Sequence, residues 1–249
     1  MTDHASPMAA ARAAVERGDH AEALRLTAGL LAERPGDDAA HELRARALLA
    51  LGRIAEAERE AQDAVRLDPD EIRYRELLAQ VLAAEGAHHE AAAEYGRLAR
   101  NDPRQRDWAL AEAGERLSAA EAQEAVEAAR RAVRLDAADA SAQLSLARAL
   151  VAAGDAGGAL AAATSAAELA PGASSSEVLA DARWLAGDER AAFAAFAELA
   201  SELDGPDRRR VTEKARRMYR SRAGLPWRLL AAWPWLFGIA LRSGWLHGW

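Results

Sequence analysis

Few residues of this sequence have side chains suited to catalysis or metal binding, and they lie far apart. Its six histidines are scattered along the chain, and only His88 and His89, which precede Glu90, form a cluster. Adjacent residues of a helix point in different directions, so a shared metal ion would need a further ligand such as Glu85 or a residue from another segment. We therefore predict a solvated turn here and no metal site.

Other motifs that could carry chemistry are incomplete. The glycine-rich segment 154–158 lies between two predicted helices and lacks the Lys-Ser/Thr pair of a phosphate-binding loop. Asp63, Asp68 and Asp70 belong to an acidic turn of a kind that is normally solvated. The chain has no cysteine, which excludes disulfides and cysteine nucleophiles. We predict no catalytic residue and no cofactor, and hence a protein that is not an enzyme.

Charge is distributed unevenly along the chain. The net charge of -7 argues against general nucleic-acid binding. Residues 207–228, however, contain nine arginines or lysines against Asp207 and Glu213, so this segment carries about +7 and the rest about -14. We expect the two regions to contact different partners. Nearly all basic residues are arginine, which indicates a bacterial source.

The elements that position these residues follow a repeat with a period of about 34 residues. Alanine accounts for 68 of the 249 residues, which favours helices. Glycines recur with this period or a multiple of it, and so do prolines half a period further along. The members are Gly18, Gly52, Gly86 and Gly154, with Pro35, Pro69, Pro103 and Pro171. The intervening positions 120 and 137 hold alanine, and the last glycine, Gly187, comes one position earlier than the period predicts.

Two further positions are alanine in all six units of the repeat. The first set comprises Ala11, Ala45, Ala79, Ala113, Ala147 and Ala180, and the second Ala23, Ala57, Ala91, Ala125, Ala159 and Ala192. Small residues let two helices approach closely, while the glycine and proline positions end them. Each unit is therefore predicted to be a helical hairpin that buries its apolar face against its neighbours.

The segment LLALGRIAEAEREAQDAVRLDPD (48–70) resembles the tetratricopeptide repeat, and the resemblance extends over residues 4–206 as six units. Most aromatic positions of the family are replaced, with Tyr95 and Phe196 the clearest retained rings. The resemblance implies an all-α fold, an α-solenoid of antiparallel helical hairpins wound as a right-handed superhelix. Residues 207–222 would then form a C-terminal capping helix.

The resemblance also implies a concave groove, lined by the first helix of each unit, that binds a partner peptide or helix. The residues predicted to contact the partner are Arg12, Arg46, Gln80, Leu117, Arg148 and Trp184. The positions where some family members bind a carboxylate hold Glu42, Glu76, Ala50 and Ala84, so a different ligand is expected. Alternatively, Arg12, Arg46 and Arg148 bind no ligand, and together with their acidic neighbours they only keep an exposed face soluble.

The C-terminal region combines a basic helix with a tryptophan-rich tail. In residues 207–222, Val211, Ala215 and Met218 form an apolar stripe among arginines. We predict attachment through this helix and through the tail, residues 223–249. The residues concerned are Arg208, Arg209, Arg210, Arg216, Arg217, Arg220, Trp227, Trp233, Trp235, Phe237, Trp245 and Trp249.

Three destinations for the tail remain open. Its apolar run, residues 229–241, is too short to span a membrane core of about 30 Å, but tryptophans and arginines suit an anionic membrane surface. The tail could instead pack on its own repeats or on another protein. It could also be the substrate of a modifying enzyme.

The sequence thus favours a scaffold or adaptor whose groove recruits a protein while the tail attaches it to a membrane surface or a hydrophobic partner. The alternative is an accessory subunit or chaperone of an enzyme complex, with the tail buried in that partner. The N-terminal residues show no basic stretch followed by an apolar core, so we expect no secretory signal and a cytoplasmic protein at the inner face of the membrane. The oligomeric state is left open.

Overall fold

The computed structural model describes residues 6–222, with side chains to residue 218, and in this range the chain forms thirteen α-helices and no strand. The helices are α1 (Pro7–Glu16), α2 (His20–Glu33), α3 (Asp38–Ala50), α4 (Ile54–Leu67), α5 (Ile72–Glu85), α6 (His88–Asn101), α7 (Arg106–Ser118), α8 (Ala122–Leu135), α9 (Ala140–Ala153), α10 (Ala156–Leu169), α11 (Ala173–Leu185), α12 (Glu189–Glu202) and α13 (Gly205–Arg222).

Each helix packs against the helices that precede and follow it, so α1 to α12 form six hairpins stacked in chain order. First helices also contact one another across units: α3 contacts α1 and α5, and α9 contacts α7 and α11. Successive units therefore lie closest on the side of the first helices, as expected for the inner side of a solenoid. The predicted all-α solenoid fold is confirmed.

The alanines of the two columns are fully buried in the core. All twelve side chains, six in the first helices and six in the second, are 0% exposed. Because alanine adds only a methyl group, neighbouring helices can pack at short distance with no side-chain entropy lost. Larger residues such as Leu48, Leu77 and Leu98 fill the space between the columns. The repeated alanines thus set the spacing of the helices.

The turn inside each hairpin needs a residue with a left-handed backbone. Glycine supplies it in five units, for example Gly52 with φ +71° and Gly86 with φ +88°. In the fourth unit Ala120 adopts φ +61°, and it is the only non-glycine residue with positive φ among those described. The closing hydrogen bond survives there, since Glu121 N donates to Arg116 O at 2.8 Å. The turn is kept at the cost of backbone strain.

Three of the five junctions between units share a side-chain hydrogen bond. In α3, His41 Nε2 lies 3.0 Å from Pro35 O, and at the equivalent place in the next unit, in α5, Arg75 Nη2 donates to Pro69 O at 2.8 Å. Gln143 Nε2 of α9 donates to Ala137 O at 2.9 Å in the same register. These bonds satisfy a carbonyl at the end of the preceding unit and tie each first helix to it.

Two of these residues also contact the second helix of their own unit. His41 Nδ1 lies 2.7 Å from Glu60 Oε2, and Arg75 Nη1 donates to Glu94 Oε2 at 2.9 Å. A single side chain therefore links the junction to the hairpin in the second and third units. The fourth unit has the buried Ala109 at this position.

The last helix, α13, covers the sixth hairpin. It begins at Gly205, two residues before the boundary expected from the sequence. Val211 is fully buried against Phe196 and Leu199, and Ala215 and Met218 pack beside it. The predicted capping helix and its apolar stripe are therefore present. The division of the chain at residues 206 and 222 stays a prediction.

Candidate functional site

Four of the six residues predicted to line the groove occupy one register of the first helices. Arg12, Arg46, Gln80 and Arg148 lie next to the buried alanine column at equivalent positions of their units, and all four side chains are exposed. Leu117 and Trp184 are half-buried. The first helices thus expose a row of three guanidinium groups and one amide at this register, and their place in a groove stays a prediction.

The three arginines of this row have different surroundings. Arg46 forms an ion pair with Glu42, whose side chain is almost fully buried one turn earlier in α3. Arg148 lies close enough to Asp181 of α11 to favour its ionised form. Arg12 has no ion-pair partner within 4.0 Å among the described residues. The row therefore presents arginines that are partly oriented by carboxylates rather than fully neutralised by them.

The C-terminal end of the row opens into a cavity of about 590 Å³ between α9, α11 and α13. Its apolar wall is formed by side chains from all three helices, and its polar wall by one carboxylate and three cationic groups. The lining residues are Val151, Asp181, Trp184, Leu185, Arg210, Lys214, Arg217 and Met218. Trp184 from the predicted groove and Arg210 and Arg217 from the predicted attachment set thus meet in one cavity, although the sequence treats them as two surfaces.

A network of charged groups joins α13 to α11 at the edge of this cavity. Arg210 donates two hydrogen bonds to the Glu177 carboxylate, at 2.8 and 2.9 Å. Lys214 Nζ donates to Glu177 Oε1 at 2.8 Å and to Asp181 Oδ2 at 2.5 Å. The Lys214 ammonium also lies 5.9 Å from the centre of the Phe196 ring, within the range of a cation–π contact.

The two carboxylates of this network respond to it in opposite directions. Burial disfavours the ionised form of Glu177, but hydrogen bonds from Arg210 and Lys214 outweigh it and lower its pKa to about 2. Burial dominates at Asp181 and raises its pKa, with Lys214 acting against the shift. Asp181 Oδ1 is buried and has no hydrogen-bond partner among the described residues. The cavity wall therefore contains an acceptor that lacks a donor.

The remaining arginines of α13 are not equivalent. Arg208, Arg209 and Arg217 are exposed, whereas Arg216 pairs with Glu213 at 3.0 Å. Arg210, which the sequence assigns to attachment, is engaged with Glu177. The side chain of Arg220 and the tail residues Trp227, Trp233, Trp235, Phe237, Trp245 and Trp249 lie outside the described residues, and our predictions for them stay predictions.

The groups considered for metal chemistry are separated in space. His88 Nδ1 lies 2.8 Å from Glu115 Oε2, and His89 Nδ1 lies 2.5 Å from Glu121 Oε1, so the adjacent rings pair with different carboxylates. Within residues 6–218, no three His, Asp or Glu side chains converge on a point where a metal ion could bind. Over the same part of the chain, no helix has both the length and the apolar character needed to cross a membrane.

Sequence reasoning missed Lys214 and the junction bonds. One feature of the sequence could have indicated Lys214: it is the only lysine of the chain. A compact ammonium can bridge two carboxylates where a planar guanidinium fits less well. The junction bonds could not be found from a conserved residue type, because histidine, arginine and glutamine all occupy the position. What they share is a side-chain nitrogen donor at one register of the repeat.

Comparison with known proteins agrees with this architecture. The family described as tetratricopeptide repeat matches residues 14–81. The fold is similar to a tetratricopeptide repeat protein from Parabacteroides merdae, with a TM-score of 0.67, 15% identity, and coverage of 80% of this chain and 79% of that chain. A repeat-containing protein from Cytophaga hutchinsonii gives a TM-score of 0.65 at 15% identity, covering 78% of each chain.

A third solved structure is MamA from Desulfovibrio magneticus RS-1, with a TM-score of 0.59, 17% identity, and coverage of 66% of this chain and 93% of that chain. No curated protein sequence matches the chain significantly. At these identities the solved structures establish the fold. Together with the family match, they confirm the resemblance to tetratricopeptide repeats.

Proposed function

Because this chain carries tetratricopeptide repeats, we propose that it is a non-enzymatic adaptor whose groove binds a peptide or helix of a protein partner. The observation that carries the proposal is the row of exposed side chains formed by Arg12, Arg46, Gln80 and Arg148. Exposed side chains at one register of the first helices, interrupted at Gly114 in the fourth unit, would form an extended surface that a linear partner can follow.

The chemistry of the row indicates what the partner carries. Guanidinium groups recognise carboxylates through paired hydrogen bonds, so the partner segment presents Asp or Glu side chains opposite the arginines. Glu42 holds the Arg46 guanidinium from one side, which reduces the side-chain entropy lost on binding. The half-buried Leu117, which precedes Arg148 in the chain, and Trp184, which follows it, supply apolar contacts to the partner.

The groove is tested by reversing its charge in the full chain. Affinity purification from the native host, with quantitative identification of partners, compares wild type with the double variant Arg12→Glu/Arg148→Glu. The matched control is Arg25→Glu/Arg130→Glu, which changes two exposed arginines on second helices. We expect groove-dependent partners to fall about tenfold or more with the first variant only, since each lost charge-assisted bond is worth about 1.5–3 kcal/mol. An unchanged partner set would contradict the groove assignment.

We further propose that the C-terminal region attaches the adaptor to the inner face of a membrane or to a hydrophobic partner. Its support is the tryptophan content of residues 223–249 and the exposed Arg208 and Arg209, which are available to anionic groups. Basic residues near an anionic surface contribute about 1 kcal/mol each, and tryptophan favours the interface. Arg210 contributes less, because Glu177 already neutralises it.

Vesicle flotation separates the two forms of this proposal. Full-length protein, a truncated chain ending at residue 222 and Arg208→Glu/Arg209→Glu are mixed with vesicles that contain phosphatidylglycerol, with Arg25→Glu/Arg130→Glu as control. Membrane attachment predicts flotation of wild type and control, and loss with the truncation. If the wild type never floats, the membrane form is wrong. A co-purifying protein that is lost on truncation then supports the accessory-subunit alternative.

A further inference from the structure

The cavity at the C-terminal end of the groove has the size and character of a binding pocket. Its volume of about 590 Å³ falls in the range of about 300–1,000 Å³ that is typical of pockets for small ligands. Val151, Leu185 and Met218 make most of its surface apolar, and Trp184 adds an aromatic wall. It suits a bulky apolar group rather than a small ion.

The polar wall of the cavity specifies one further property of the occupant. Asp181 Oδ2 accepts from Lys214, but Asp181 Oδ1 is buried without a donor among the described residues. A buried acceptor that has lost its hydration without gaining a donor is unfavourable, so an occupant with a hydrogen-bond donor on an apolar body is favoured. The indole of tryptophan has this combination, a large hydrophobic ring with a single N–H donor.

Cations are placed to complete the site. Arg210 and Arg217 both line the cavity. A guanidinium over the face of an indole is attracted by the ring quadrupole. The combination of a buried acceptor, an apolar wall and nearby guanidinium groups is therefore complementary to tryptophan in both its edge and its face.

The chain itself supplies a tryptophan within reach. Met218, on the cavity wall, lies four residues before the described end of α13 at Arg222, and Trp227 follows five residues later. Five extended residues span up to about 17 Å. A tethered side chain also avoids most of the translational and rotational entropy that a separate ligand loses on binding.

We propose that this cavity is the docking site of Trp227 from the chain's own C-terminal segment, with the indole N–H donating to Asp181 Oδ1. The docked ring fixes the direction in which residues 228–249 leave the solenoid. The inference does not rest on the proposed adaptor function, because it concerns a contact within one chain and is independent of what the other tryptophans meet.

The absence of cysteine makes the test direct, since an engineered pair provides the only thiols. In the full chain, Val151→Cys with Arg228→Cys places one thiol on the α9 wall and the other beside Trp227. We expect mild oxidation to form a disulfide within single chains at least about tenfold faster than in the control pair Arg12→Cys/Arg228→Cys at the far end of the groove. Far-ultraviolet circular dichroism checks that both pairs fold.

Three results would overturn the proposal. The first is equal oxidation of the two pairs. The second is a disulfide only between molecules, which would mean that a second copy fills the cavity. The third is oxidation of the Val151→Cys pair that does not slow when Trp227→Ala is added, since the ring would then not be the anchor.

Indole hydrogen exchange gives a second measurement that does not need cysteines. The Trp227 indole signal is identified by its loss in Trp227→Phe. We expect its N–H to exchange at least about tenfold more slowly than that of Trp249, and Asp181→Asn, which keeps an acceptor oxygen, to preserve more of this protection than Asp181→Ala. Equal exchange of the two indoles would contradict docking.

Discussion

Lys214 Nζ lies 2.5 Å from Asp181 Oδ2 and joins the last helix to the first helix of the sixth hairpin with the only lysine of the chain. The same ammonium reaches Glu177 Oε1, so it separates two carboxylates that lie one turn apart. The contact closes the end of the solenoid and forms part of the cavity wall. The attachment of α13 therefore depends on charge as well as on the buried Val211.

Replacing this ammonium should loosen α13. In Lys214→Met the two carboxylates of α11 lose their common cation, and we expect the free energy of docking of α13 to fall by about 2 kcal/mol, because removal of one member of a partly buried pair leaves a charge uncompensated. Hydrogen exchange of the α13 amides measures it. Arg66→Met, which removes an exposed cation from α4, should change stability by less than about 0.5 kcal/mol. Unchanged exchange in α13 would show that apolar packing alone holds the helix.

The docking of α13 should weaken in acid through Glu177. Its pKa is lowered from 4.5 to about 2, so its stabilisation is complete above about pH 4.5 and is lost as the pH falls toward 2. Burial raises the pKa of Asp181, because it disfavours the ionised carboxylate. Protonation of Asp181 therefore removes an unfavourable buried charge, so its effect on stability as the pH falls is opposite to that of Glu177.

The variant Glu177→Gln isolates the first of these contributions. Between pH 7 and pH 3 its stability should vary less than that of wild type by about 1 kcal/mol, because the pKa difference corresponds to about 2 kcal/mol over this range and the exposure of Arg210 reduces it. Urea unfolding followed at several pH values measures the difference. Parallel pH profiles for the two proteins would mean that the Glu177 contacts do not form in solution.

The strained turn of the fourth hairpin should be improved by glycine. Ala120→Gly removes the left-handed strain at φ +61°, and we expect a gain of about 1 kcal/mol. The reverse change, Gly52→Ala at φ +71°, should cost about the same, since a methyl group there meets no atom within 4 Å and only the backbone is affected. Urea unfolding of both variants provides the measurement. A loss of stability in Ala120→Gly would show that the turn relaxes in solution.

The junction bond of the third unit should contribute in two separable parts. Arg75→Ala loses both the hydrogen bond to Pro69 O and the ion pair with Glu94, and we expect a cost of about 2–3 kcal/mol. Arg75→Gln should cost about half as much, because Gln143 shows that glutamine can make the carbonyl bond in this register. Thermal unfolding of the two variants tests the order. Equal losses would mean that the carbonyl bond contributes nothing measurable.

The solenoid can be derived from the sequence alone, because the features that specify it are local and repeated. Alanine at two positions per unit permits close helices, and glycine after the first helix of most units permits the left-handed turn. Ala11 and Ala23, with their equivalents, are buried as this pattern predicts. The Ala120 turn could be anticipated only by register, because its residue type argues against a left-handed backbone.

Which charged residues are available to a partner and which already form ion pairs depends on the packing of the helices. Arg210 and Arg208 are both exposed basic residues, yet only Arg210 pairs with Glu177. Their difference depends on residues in a distant part of the chain, and the rotation of α13 on its buried Val211 sets it. Helix formation follows from short-range propensity, whereas the pairing of charges requires the packed arrangement of distant helices. For the same reason the cavity that unites Trp184 with Arg217 could not be found in the chain order.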